Sequence, residues 1–193
     1  IRLASGVSGE SPKHLTRVMN LESGGIASAR NVRGSGAGGL FQIMPRTWKD
    51  LQSKYGKEQK LTDRFNATQN AIAAGLLQRD YRAHLSRDFG RPATDWEVSG
   101  AHLLGPGGYS ALVKNPHKPI ADILTKEARS NPEAFYDKGQ ARTGQQMQEY
   151  VRRRYEGAST SLGRSKPTIP NIQIAKDYYP GGGRDAGFDY NRF

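Results

Sequence analysis

From Gly34 to Gly39 the chain reads Gly-Ser-Gly-Ala-Gly-Gly. No regular helix crosses such a stretch cheaply, since each glycine costs about 1 kcal/mol relative to alanine. The segment therefore breaks the chain between two helical stretches. Upstream, Ser11 fits an N-cap and Pro12 the first helical position. Leu15, Val18, Met19 and Glu22 follow at spacings of three and four, so they share one helix face. Ser23-Gly24-Gly25 stops this helix, which leaves Glu22 on the final turn and on the apolar side. Downstream, Leu40-Phe41-Gln42-Ile43-Met44 is short and apolar, and Pro45 opens a second helix with Trp48 and Leu51. Residues 26–44 are thus expected to form a loop or a short, irregular β-hairpin.

The rest of the chain reads mainly as helix. Ala67, Ala71, Ala74, Leu77 (or Gln78), Tyr81 and Leu85 recur near the helical period, so 66–88 is expected to be the longest helix. Asp95 fits the start of another, ended by Gly105-Pro106-Gly107-Gly108. Shorter pieces are expected near 109–114 and 119–130. A last helix at about 143–156 carries Met147, Tyr150 and Val151 on one side. After Gly157 the periodicity fades into Gly, Pro and Ser. The expected organisation is one mainly α domain over 1–156, with one small irregular β element, followed by an extended tail or linker over 157–193.

Composition narrows the function classes. No run approaches the roughly 18 uninterrupted apolar residues of a membrane span. There is no cysteine, which removes disulfides, thiolate metal sites and a cysteine nucleophile. His14, His84 and His117 have no metal-ligand spacing, so no metal and no cofactor is assigned. The formal net charge is +11, from 29 Lys+Arg against 18 Asp+Glu. Such a surface favours encounter with polyanions, whether nucleic acid, anionic membrane or cell-wall polymer. No interleaved aromatic and basic motif for nucleic acid is present. The chain starts at Ile1 without a visible leader, which fits a processed product or a piece of a longer protein.

Glu22 is the residue with chemistry to offer. A carboxyl that must give up a proton near neutral pH needs its neutral form favoured, and partial burial against apolar groups does that. A helix C-terminus disfavours a negative charge and acts in the same direction. The plain alternative is a surface Glu that ends a helix. Ordinary glycosidases flank the scissile bond with two carboxylates. Here Asp50 and Asp63 are candidates for a second by position only.

Glu22-Ser23, followed by Gly36-Ala37-Gly38-Gly39-Leu40-Phe41-Gln42-Ile43-Met44-Pro45, resembles the lytic transglycosylase (SLT) family of the lysozyme-like superfamily. The family pattern is a Glu-Ser helix end and then Gly-Ala-x-Gly-Leu-x-Gln-(Ile/Leu/Val)-Met-Pro. Asn70-Ala71-Ile72-Ala73-Ala74-Gly75 resembles the family's long helix, and Glu149-Tyr150-Val151 its closing Tyr-Val motif. Ala101-His102-Leu103-Leu104-Gly105-Pro106-Gly107 stands where many members have Ala-Tyr-Asn-Ala-Gly-Pro-Gly. His102 and Leu103 thus depart from the pattern. The resemblance spans roughly residues 10–156.

The resemblance implies an α+β lysozyme-like fold and a peptidoglycan glycan strand as substrate. It makes Glu22 the single catalytic acid and then base, with the muramoyl C6 hydroxyl as nucleophile and a 1,6-anhydro product. Ser23, Gly39, Phe41, Gln42, Met44, His102 and Tyr150 are the candidate substrate-binding residues. Each has a structural alternative. Gln42 could cap backbone groups within the loop, Phe41 and Met44 could be core, and Tyr150 could be a core aromatic rather than a group orienting Glu22. His102 could be a hydrogen-bonded structural histidine. Two other functions stay open: a goose-type lysozyme using water, and a catalytically silent glycan-binding or structural component of a virion or secretion apparatus. The expected place of action is the bacterial periplasm or cell wall, with delivery in a phage particle, and with virion or secretion-machine proteins as partners of the tail.

Overall fold

The computed structural model describes residues 1–31, 36–130 and 132–161. The described chain is mainly helical, as expected, and its helices stop and start where the local chemistry dictates. Helix α1 spans Arg2–Ser8 and α2 spans Pro12–Ser23. The Ser11 hydroxyl accepts from the His14 backbone N–H at the start of α2, and Gly24 closes it with φ 62°, a left-handed conformation that glycine adopts without penalty. Helix α3 (Pro45–Gln59) opens on its proline, and α4 (Ala67–Phe89) is capped by Asn66, whose side chain accepts from the N–H groups of Thr68 and Gln69.

Helix α4 is the axis of the fold. Every residue from Asn70 to Gln78 is buried, polar ones included, so neighbours cover this helix on all sides. Gly75 explains how α1 gets close. A Cβ there would stand 2.8 Å from the Ser8 hydroxyl and 3.2 Å from the Ala4 carbonyl oxygen. Helix α5 (Asp95–Leu104) begins with a reciprocal capping box between Thr94 and Glu97, and is buried from Glu97 onward. Gly100 on α5 leaves the space that the Tyr109 ring of α6 (Pro106–Lys114) fills.

The chain then makes three short helices, α7 (Ile120–Ile123), α8 (Thr125–Ser130) and α9 (Pro132–Phe135), and a minimal hairpin of β1 (Tyr136–Asp137) and β2 (Gln140–Ala141). Tyr136 pairs with Ala141 and Asp137 with Gln140. Lys138 and Gly139 link them with positive φ at both positions, the two-residue turn whose twist suits a hairpin. Helix α10 (Gly144–Glu156), with a Thr143–Gln146 capping box, closes the domain against α5 and α6. Tyr81, Tyr109, Phe41, Phe135 and Met147 are among the largest fully buried side chains.

Two features depart from the sequence-based outline: helix α1, and the two-stranded sheet at 136–141. The described part of 26–44 holds isolated antiparallel bridges, Arg30 to Gly38 and Gly38 to Ile43, in keeping with the loop or irregular hairpin expected there. Packing against the domain continues past residue 156. Ala158 is buried, and the Asn20 side-chain amide donates to the carbonyls of Ser159 (2.8 Å) and Ser161 (3.1 Å). The remainder of the expected tail, 162–193, lies outside the described residues, as do Gly34 and Ser35 of the glycine-rich segment.

Candidate active site

Glu22 ends α2 with only 6% of its surface exposed. Gly24 and Gly25, at φ 62° and 83°, turn the chain away immediately after Ser23. Ser23 then fastens the helix end to the loop that follows. Its hydroxyl lies 2.7 Å from the Leu40 carbonyl oxygen, and it accepts from the Gly25 N–H at 3.2 Å. One serine thus fixes both the exit from the helix and the position of the loop beside Glu22.

That loop is held by a few backbone bridges and by side chains. Asn70, wholly buried on α4, accepts from the Phe41 N–H at 2.9 Å and donates to the Arg64 carbonyl at 2.8 Å. The Arg64 guanidinium donates to the carbonyls of Gly36 (2.8 Å) and Ile43 (2.7 Å), drawing the two ends of the loop together. Gly39 must be glycine. Its φ is 81°, and a Cβ would run into the Asn70 side chain and stand 2.9 Å from the Arg64 carbonyl oxygen. Gln42 takes the left-handed region without being glycine (φ 47°), a conformation that costs about 1–2 kcal/mol and that collects at functional sites. Its side-chain amide donates to the carbonyls of Gly39 (2.9 Å) and Ala29 (3.1 Å), which offsets that cost.

His102, on α5, joins the loop to Glu22. Its Nε2 lies 3.1 Å from the Phe41 carbonyl oxygen and 4.0 Å from Glu22 Oε1. Behind it runs a line of buried side chains from three further positions. Gln78 Nε2 is 2.7 Å from His102 Nδ1, Gln78 Oε1 is 3.3 Å from His14 Nε2, and His14 Nδ1 is 3.0 Å from the Tyr155 hydroxyl. Burial pushes His14 below the ordinary histidine range, against the opposing pull of Asp95 and Glu10. Burial also pushes the Tyr155 phenol up to about 12.

The sequence-derived candidates therefore separate. Glu22, Ser23, the Phe41 backbone and His102 converge. The Phe41 side chain itself is fully buried core, and Gln42 is buried with its amide nitrogen spent inside the loop. Met44 is half-buried at the N-cap of α3. Tyr150 is half-buried on α10 with the Arg142 guanidinium 4.9 Å from its ring centre, and burial raises its phenol. The tyrosine that reaches the polar line is Tyr155, one turn further on. Asp63 spends its carboxylate on the Phe65 N–H, 2.8 Å away. Sequence reasoning missed His14, Gln78 and Tyr155 as partners. The available signal was a pair of polar residues, His14 and Gln78, set among buried helix positions. Among the described residues no group of three or more His, Asp or Glu side chains is suited to a metal, and no helix is long and apolar enough to cross a membrane.

The buried carboxyl, the serine latch and the glycine-shaped loop all lie within the first half of the chain, and that is where similarity to known proteins is found. A family model described as the transglycosylase SLT domain matches residues 1–107. The match takes in α1, which precedes the resembling motifs, and ends in the Gly105-Pro106-Gly107 turn, so the closing helix lies beyond it. It covers more than half of the chain, and this protein belongs to the transglycosylase SLT domain family, whose members cleave peptidoglycan.

Proposed function

We propose that this chain cuts the β-1,4 bond between N-acetylmuramic acid and N-acetylglucosamine with one carboxyl group, that of Glu22. Protonated Glu22 gives its hydrogen to the glycosidic oxygen as the C1–O bond breaks and an oxocarbenium-like centre forms at C1. The carboxylate left behind takes the proton from the muramoyl C6 hydroxyl, whose oxygen bonds to C1. The product is a 1,6-anhydro ring, and Glu22 is returned to its acid form. Proton transfer of this kind contributes roughly 10²–10⁴-fold.

The observation that carries this reading is the burial of Glu22 at a helix end, 4.0 Å from His102 and next to a loop latched by Ser23. Burial disfavours the carboxylate, as an acid catalyst requires. Ser23, Gly39, Phe41, Gln42 and His102 act in this proposal by shaping the wall beside Glu22. Met44 and Tyr150 belong to the strand-binding surface.

Mass spectrometry of fragments released from purified sacculi tests the chemistry. Anhydro ends are expected. Reducing ends, heavier by one water, would instead make water the nucleophile, as in a goose-type lysozyme. Intact sacculi with bound protein would leave a glycan-binding module. Delivery in a phage particle is a separate proposal, supported by the +11 charge and the Ala101-His102 departure; proteomics of purified particles tests it.

A further inference from the structure

With His102 neutral, the line Tyr155–His14–Gln78–His102–Phe41 runs in one direction, set by the Phe41 carbonyl at one end and the Gln78 amide in the middle. The Phe41 carbonyl can only accept, so His102 Nε2, 3.1 Å away, carries a hydrogen. In a neutral ring His102 Nδ1 must then accept, and Gln78 presents its NH₂ to it at 2.7 Å. That orients Gln78 Oε1 toward His14 Nε2, which must donate at 3.3 Å. His14 Nδ1 in turn accepts from the Tyr155 hydroxyl at 3.0 Å. Each hydrogen points the same way, from α10 toward Glu22. His14, Gln78 and His102 are each 2% exposed or less, so water cannot stand in for a lost partner.

We propose that Gln78 is a positioning residue that locks His102 in its neutral, Nε2-protonated form, so that no imidazolium arises 4.0 Å from the Glu22 carboxyl. Adding a proton to His102 Nδ1 would set two donors face to face across 2.7 Å. Relief requires Gln78 to turn over, His14 to change tautomer and Tyr155 to swing its hydrogen from His14 to the more distant Asp95 Oδ2, 3.5 Å away. The proposal rests on Glu22 being the acid: an imidazolium at this distance would favour its carboxylate and silence it.

The other charges around the line are balanced at its far end. Glu10 Oε2 is 3.9 Å from His14 Nε2, but Arg82 holds Glu10 at 2.6 Å and Asp95 at 2.8 Å. Glu22 is the charged group facing His102 from α2. Helices α6 and α10 meet α5 at Gly100 through Tyr109 and Val151; burial pushes the Tyr109 phenol far up and keeps it neutral, while α10 also carries the buried Arg154 guanidinium, and Arg17 lies over the Tyr155 ring, 5.0 Å from its centre.

Two measurements on the full chain test this. The first is ring-nitrogen NMR of the histidine-labelled wild type between about pH 5 and 8. Expected is a His102 ring that keeps hydrogen on Nε2 and a bare Nδ1 throughout. A His102 that titrates near the ordinary value of about 6.5 overturns the proposal. The second is the pH–rate profile of Gln78→Glu. A carboxylate there asks for a hydrogen on His102 Nδ1 while Phe41 keeps the one on Nε2, which makes the ring an imidazolium. The alkaline limb should move down by about one pH unit or more, since an opposite charge at this range lowers a carboxyl by about 1–3 units. A rate lowered equally at all pH values, with an unmoved limb, means a merely structural Gln78 and overturns the proposal. Should the variant not fold, the wild-type NMR decides alone. It also reads the tautomer whether or not Glu22 proves to be the acid.

Discussion

The Ser23 hydroxyl lies 2.7 Å from the Leu40 carbonyl oxygen, and that bond ties the end of the helix bearing Glu22 to the loop beside it. Removing it leaves a part-buried carbonyl without its partner. Ser23→Ala is expected to lower stability by about 1–3 kcal/mol. It should also reduce cleavage more than unfolding alone explains, because the loop is freed from Glu22. Urea denaturation together with turnover on sacculi below the unfolding transition checks both parts.

Gly39 is expected to tolerate no side chain. With φ at 81° and Asn70 against the missing Cβ, Gly39→Ala must either strain the turn or displace Asn70 from the Phe41 N–H. The expected loss is about 2 kcal/mol or more, combining the left-handed penalty with a broken buried hydrogen bond. Gly90→Ala is the control. Its φ is 63° with nothing near the Cβ, so it should lose only the conformational part, and calorimetry of the pair separates the two contributions.

Stability should fall on mild acidification. His14 is wholly buried and its protonation is suppressed in the fold, whereas the unfolded chain takes up that proton at about 6.5. Below that pH the unfolded state binds more protons, so stability is full above about 6.5 and declines as pH drops through the interval beneath it, levelling once folded His14 also protonates. His14→Gln should flatten part of this slope in urea midpoints, and His84, which burial also pushes below the ordinary histidine range, contributes to the remainder. Glu97 acts in a different window. Its burial opposes ionisation, but hydrogen bonds from Arg91 and Thr94 outweigh that and hold it below the ordinary 4.5. Its contribution is present above that value and lost only at lower pH.

The helices were legible because their signals are local. Pro12 and Ser11 open α2, Asn66 and Gly90 bracket α4, and Thr143 caps α10. The burial of Glu22 was legible as well, from the apolar stripe that it shares with Leu15, Val18 and Met19. The polar line behind it was not, because it is a tertiary arrangement. His14 and Tyr155 are 141 residues apart, and Gln78 lies at an edge of the helical stripe where Leu77 fits equally well. Gln42 and Phe41 had two readings each that only packing could separate: one sends its amide hydrogens into its own loop, the other buries its ring and offers its backbone. The hairpin at 136–141 escaped notice because two-residue strands carry no alternation to read.

The most direct measurement of the central claim is the rate at which Glu22→Gln releases fragments from purified sacculi, with circular dichroism confirming that the variant is folded. The substitution keeps the side chain's shape and removes the transferable proton. The account predicts a folded protein with cleavage reduced by at least about 10²-fold. Cleavage at the wild-type rate by a folded Glu22→Gln protein would contradict it.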